Sequence, residues 1–170
     1  MSAANHTSPG QEDQRVGTPS SADTARQQAL EGFRAGGGKH LNCAQSVLLY
    51  CLLRLGMDTQ PLAAARYLGG GVARQGLTCG LLLGCALGIG ARDAGAGGAP
   101  SPALSVQQLQ QLTERFVRRF GSSSCNELTG CDMTTTKGME AFRQPARSAR
   151  CDDMLQWVLE EVGAVLGIRG

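Results

Sequence analysis

Seven cysteines, at positions 43, 51, 79, 85, 125, 131 and 151, carry the distinctive chemistry of this 170-residue chain. Four of them, Cys43, Cys79, Cys125 and Cys151, fall at or next to the start of a predicted helix. For three, a capping residue stands immediately before: Asn42, Thr78 and Ser124. A thiol in a first helical turn feels the positive end of the helix dipole and the unpaired backbone N–H groups, which favour its thiolate. Helix starts gathered at one point of a small bundle make a pocket of thiolates. Such a pocket suits an iron–sulfur cluster, whose usual ligands are four thiolates. It equally suits tetrahedral zinc in a structural adaptor, or a metal-free dithiol–disulfide cycle. The residues alone leave all three open.

The remaining cysteines differ in placement. Cys51 and Cys85 lie about two turns into predicted helices and read as core-filling thiols. Cys131 lies just past a short helix and takes no assigned role. An odd count with uneven gaps is not a secreted disulfide framework, and no CxxC or HxxxH pair marks an ordinary zinc motif. His40 stands beside a helix start, where a solvated loop position fits it better than ligation or proton donation. The triglycine Gly69–Gly71 has neither a strand before it nor a GK[ST] after it, so it is no nucleotide cradle. Ser, Asp and Glu show no triad arrangement.

The elements that must position the thiols are helical. Residues 1–22 are polar and read as a disordered tail, leaving one domain over 23–170. Capping and apolar periodicity predict helices near 24–35, 42–55, 78–90, 105–120, 124–129 and 151–166. Asn42 and Gln45 form a capping box, as do Ser124 and Glu127. The stretch from Cys79 to Ile89 is uncharged and predicts a helix buried on most sides, behind a flexible glycine loop. Pro61 suits a short helix to Leu68, residues 91–103 read as a Gly/Ala/Pro surface loop, and 131–150 as irregular and basic. Val106, Leu109, Leu112, Phe116, Val117 and Phe120 form the inner face of one helix. Met154, Leu155, Val158, Leu159, Val162, Val165 and Leu166 form that of the last. No strand is predicted. The expected fold is an all-α, compact, single-domain bundle of about six helices.

Composition narrows the partners. With 4% aromatic residues and a net charge of +2, nucleic acid is a poor partner. The longest uncharged apolar run, Leu77–Ala91, is too short and too broken by glycine for a membrane span. A polar N-terminus without an apolar core predicts no signal peptide, and hence the cytoplasm. The expected partner is a redox protein whose identity the residues do not give.

Four stretches in order carry a resemblance: NCAQSVL at 42–48, GGGVARQGLTCGLLLG at 69–84, FGSSSCNELTGCD at 120–132, and Cys151 before an amphipathic helix. Together they resemble the C_GCAxxG_C_C family of putative redox-active proteins, over about residues 24–167. The resemblance implies a small helical protein with Cys43, Cys79, Cys125 and Cys151 as the characteristic four. It also implies an iron centre, since a similar domain occurs in split-Soret cytochromes. Leu81, where the family has a small residue, Cys85, where it has alanine, and Cys131, between Gly130 and Asp132, depart from the pattern.

Overall fold

The computed structural model describes residues 18–95 and 101–167, and among these the chain is helical throughout, with no strand. Of the predicted tail, residues 1–17 lie outside the described residues, while Ser21 caps the first helix by accepting the Thr24 N–H. The α-helices are α1 Ala22–Arg34, α2 Cys43–Leu55, α3 Gly80–Ala94, α4 Pro102–Phe120, α5 Cys125–Thr129, α6 Thr136–Phe142 and α7 Pro145–Leu166. Single 3₁₀ segments, Gly37–Lys39 and Gln60–Ala65, link α1 to α2 and follow α2.

The closest seam lies between α2 and α3, and glycine makes it possible. Gly80, Gly84 and Gly88 recur every four residues and so share one face of α3. Opposite them, Cys43, Val47 and Cys51 share one face of α2 at the same spacing. A Cβ on Gly84 would stand 2.7 Å from the Val47 Cβ and 2.8 Å from the Ala44 carbonyl oxygen. One on Gly88 would collide with the Cys51 sulfur, and one on Gly80 would lie 3.0 Å from the Cys43 Cβ. The two backbones therefore touch, and their N-terminal ends are held side by side.

α7 covers this pair and also packs on α1 and α4. Its predicted inner face is confirmed: Met154, Leu155, Val158, Leu159, Val162 and Leu166 are buried, with Val165 at the edge. On α4, Leu112 and Phe116 are buried, but Val106 is 57% exposed and Val117 36%, so neither belongs to the expected inner face. Trp157 packs against Phe116 and Phe120, with ring centroids 6.0 and 5.4 Å away. Arg92, near the end of α3, donates to the Val165 carbonyl at 2.9 Å and to the Ser105 hydroxyl at 2.9 Å, tying three helix ends together.

Several boundaries move from their expected places. α4 begins at Pro102 rather than Ser105, and α3 runs to Ala94, so the surface loop expected over 91–103 is much shorter; residues 96–100 of it lie outside the described residues. The short helix after Pro61 is a 3₁₀ segment ending at Ala65. Segment 131–150 is not irregular. It holds α6, capped by the Thr135 hydroxyl, and the first turns of α7. α7 starts at Pro145, whose fixed φ and missing N–H suit a first helical position. Cys151 is therefore inside α7, not at its start.

Candidate four-thiol centre

Cys43 is the first helical residue of α2. The Asn42 side chain accepts the N–H groups of Ala44 and Gln45 at 3.0 and 3.1 Å, and Gln45 accepts the Asn42 N–H at 3.2 Å, completing the expected capping box. Asn42 also donates to the Ala65 and Arg66 carbonyls, at 3.2 and 2.8 Å. The start of α2 is thereby pinned to the chain that leads into the glycine loop.

That loop is rigidly wound. Gly70, Gly71, Val72, Ala73 and Arg74 all have positive φ, from 49° to 69°, making one left-handed turn. It is closed by the Ala73 N–H to the Tyr67 carbonyl at 2.6 Å and the Leu77 N–H to the Gly71 carbonyl at 3.0 Å. Left-handed backbone costs roughly 1–2 kcal/mol per non-glycine residue, and Val72 is β-branched, so surrounding bonds must hold the turn. Only glycine fits at 71, where a Cβ would lie 2.8 Å from the Cys125 Cβ.

Beyond the turn the chain zips onto the segment before α5. The Cys79 N–H donates to the Ser123 carbonyl at 2.8 Å, and the Cys125 N–H donates to the Leu77 carbonyl at 2.7 Å. Between these bonds Thr78 and Ser124 form an isolated antiparallel bridge. Thr78 was expected to cap α3. Its backbone is used in this bridge instead, and Cys79 itself occupies the cap position, without a side-chain capping bond. Cys125 opens α5 as expected, behind Ser124, which accepts the Glu127 N–H, but the expected capping box is only half made: the Ser124 N–H goes to the Ser122 hydroxyl, which in turn donates to Glu127. Cys151 comes to the same place from the side of α7. Its register is set by Asp152, which accepts two bonds of 2.6 Å from Arg34 at the end of α1.

The four sulfurs feel one another. Burial pushes the Cys43 thiol well above its ordinary value, and negative charge on Cys79, Cys151 or Cys125 would push it further. Burial lifts Cys79 to about 12, against the backbone N–H groups of Leu81 and Leu82 that pull it down; charge on Cys125 and Cys151 adds to the rise. Cys151 is pushed up to about 12 by burial and by Cys125, with Arg150 opposing. Cys125 rises to about 11 through burial and Cys131. The expectation that helix starts would favour thiolates is thus reversed. Burial outweighs the dipole, and for Cys151 no helix start is present.

Cys131 belongs to this neighbourhood too, because its charge acts on both Cys125 and Cys151. A Cys six residues after another, across a glycine-closed turn, was the available signal. Cys51 and Cys85 are fully buried in the α2–α3 seam, as expected of packing thiols, although Cys85 lies near enough to Cys79 to feel its charge. His40 is exposed beside Phe33, at 6.0 Å between ring centroids, and is not among the groups acting on the thiols. The donor set fits a thiolate-bound cluster in its chemistry: four thiols, with no carboxylate or imidazole acting on them. Among the described residues, however, no three His, Cys, Asp or Glu side chains are gathered closely enough to hold one metal ion.

A family model described as putative redox-active protein, C_GCAxxG_C_C, matches residues 41–165. The chain belongs to this family. Searches of curated proteins and of solved structures returned no match. Among the described residues no helix is long and apolar enough to cross a membrane.

Proposed function

We propose that Cys43, Cys79, Cys125 and Cys151 hold an iron–sulfur cluster and that the chain carries electrons to and from a redox partner protein. The reading is supported by four thiols from four helices, each close enough to act electrostatically on another. Thiolates near one another repel, and burial makes each costly to ionise. A cationic iron group would compensate both effects and supply one-electron chemistry when bound. The protein's own part is to fix the donors. Asn42 anchors the start of α2, the bridge between Thr78 and Ser124 registers Cys79 against Cys125, and Arg34 holds α7 at Asp152. Cys79, Cys125 and Cys151 are buried and Cys43 is half-buried, which limits the access of water to the thiols. Zinc in an adaptor domain would need the same four residues drawn about one ion.

Anaerobic purification tests the reading. Iron and sulfide bound together, with absorption near 400 nm expected of such clusters, support it. Stoichiometric zinc without sulfide, or no metal with a reversible change in thiol count, contradicts it.

A further inference from the structure

The left-handed turn packs directly on the thiol centre. A Cβ on Gly71 would stand 2.8 Å from the Cys125 Cβ, and one on Gly80 would lie between the Leu68 carbonyl oxygen, at 2.9 Å, and the Cys43 Cβ, at 3.0 Å. Ala73, Arg74 and Gln75, on the same turn, are exposed. Its two ends carry Tyr67, 72% exposed, and Leu77, 58% exposed, the two most exposed large hydrophobic side chains among the described residues. Both ends are bonded into the turn, Tyr67 through its carbonyl to Ala73 and Leu77 through its N–H to Gly71. Charge here has one sign. From Thr59 to Ala91 the charged residues are Arg66 and Arg74, both exposed. Arg74 also shares a groove of about 450 Å³ with Arg143, and among the described residues no carboxylate lines it. Tyrosine and arginine are the side chains that most often carry binding energy at protein interfaces. Val72, Ala73 and Arg74 hold a backbone conformation costly for residues other than glycine, and such strain concentrates at functional sites. The turn's own hydrogen bonds fix it in advance, so a partner meets it without ordering a loop.

We propose that the face formed by Tyr67, Leu77, Arg66, Arg74 and Arg143 is the docking surface for an acidic electron-carrier protein. That the partner carries electrons rests on the cluster reading; that it is acidic and docks here rests on the surface alone. Its carboxylates meet the three arginines, and an apolar patch among them covers Tyr67 and Leu77. Docking here sets the partner against the turn that touches Cys125. The other exposed apolar pair, Leu104 and Val106, lies at the start of α4, which Arg92 ties to the far end of α3, about 20 Å along that helix from Cys79.

The test titrates the full chain as purified with a plant-type ferredoxin, an acidic carrier, and with cytochrome c, a basic one, and reads binding by calorimetry. At low salt ferredoxin should bind about tenfold more tightly than cytochrome c, and high salt should remove that preference. Arg66→Gln with Arg74→Gln should weaken ferredoxin binding about tenfold and Tyr67→Ser severalfold, whereas Val106→Ser leaves it unchanged. Unfolding midpoints should stay at the wild-type value in all of these variants, because the side chains are exposed. Iron and sulfide, measured on the same samples, score the cluster reading separately: ferredoxin held at the turn by a chain without iron upholds the acidic docking face and defeats the cluster. Equal affinity for the two carriers, no ferredoxin binding, binding insensitive to the turn substitutions, or self-association of the chain through Tyr67 would overturn the proposal.

Discussion

Two groups of cysteines, all buried except the half-buried Cys43, differ in what surrounds them. Cys51 and Cys85 sit in mid-helix, where every neighbouring backbone group is already bonded within α2 or α3, and their sulfurs fill the seam. Cys43, Cys79 and Cys125 sit where helices begin, beside chain segments that cross from one element to another, and Cys151 reaches the same place from α7. The same side chain is a packing atom in the first setting and one of several mutually acting donors in the second. Burial does not distinguish them, since it raises Cys51 and Cys79 alike to about 12. Convergence of separate chain segments does.

The largest effect that sharpens this comparison is alkaline unfolding of the metal-free chain. A thiol whose folded value is raised holds its proton more tightly in the folded state, so its stabilising effect is complete below the ordinary value of 9.0 and disappears as pH climbs toward 12. Each raised thiol shifts the folding equilibrium about tenfold per pH unit in that window. Denaturant midpoints should fall steeply from about pH 9, and more gently in a Cys51→Ala/Cys85→Ala variant, which keeps only the thiols of the centre and Cys131. A flat profile would show that the thiols are not held in low dielectric.

Next in size is Gly84→Ala, which puts a methyl against the Val47 Cβ and the Ala44 carbonyl. Overpacking of this kind costs about 3 kcal/mol and should lower the unfolding midpoint strongly. Gly88→Ala should be equally harmful alone but partly rescued by Cys51→Ala, because the intruding methyl meets that sulfur. Strict additivity would remove Cys51 from the seam.

Cys51→Ala and Cys85→Ser should each cost about 1–3 kcal/mol in stability with iron content unchanged. Cys85 is the sharper test because it neighbours Cys79, and loss of iron in Cys85→Ser would move it into the centre. The smallest effect belongs to Asp152→Asn. The Arg34 guanidinium holds the Asp152 carboxyl below its ordinary 3.8, so this pair stabilises the fold above that pH and stops doing so as acid protonates it. Arg34 is half exposed, so the loss should be no more than about 1 kcal/mol, visible at pH 7 and absent near pH 2. An unchanged midpoint at pH 7 would show that Arg34 does not anchor α7.

Two of the four helix starts were legible because capping is local. Asn42 with Gln45, and Ser124 before Glu127, announce their helices within four residues. The start of α7 was misplaced because the acidic pair Asp152–Asp153 resembles a first turn, whereas Pro145 is the true signal. α6 was missed because its cap, Thr135, lies in a run of three threonines, with Gly138 in the first turn. The left-handed turn has no local signature beyond its glycines: Ala73 and Arg74 donate to the Tyr67 and Gly69 carbonyls, and the Val72 carbonyl accepts the Gln75 N–H. The thiol proton affinities were misjudged because the dipole is visible in sequence and burial is not. The glycines at 80, 84 and 88 show why α2 and α3 pair so closely, yet that spacing has meaning only once the opposing face of α2 is known.

The central claim is that four cysteines separated along the chain act as one centre, and iron and sulfide content per chain, measured anaerobically for the wild type and each single Cys→Ser variant, tests it most directly. The account predicts iron with sulfide in the wild type, lost on replacing any of Cys43, Cys79, Cys125 or Cys151, and kept on replacing Cys51, Cys85 or Cys131. Iron that survives loss of one of the four, or that depends on a cysteine outside them, would contradict it.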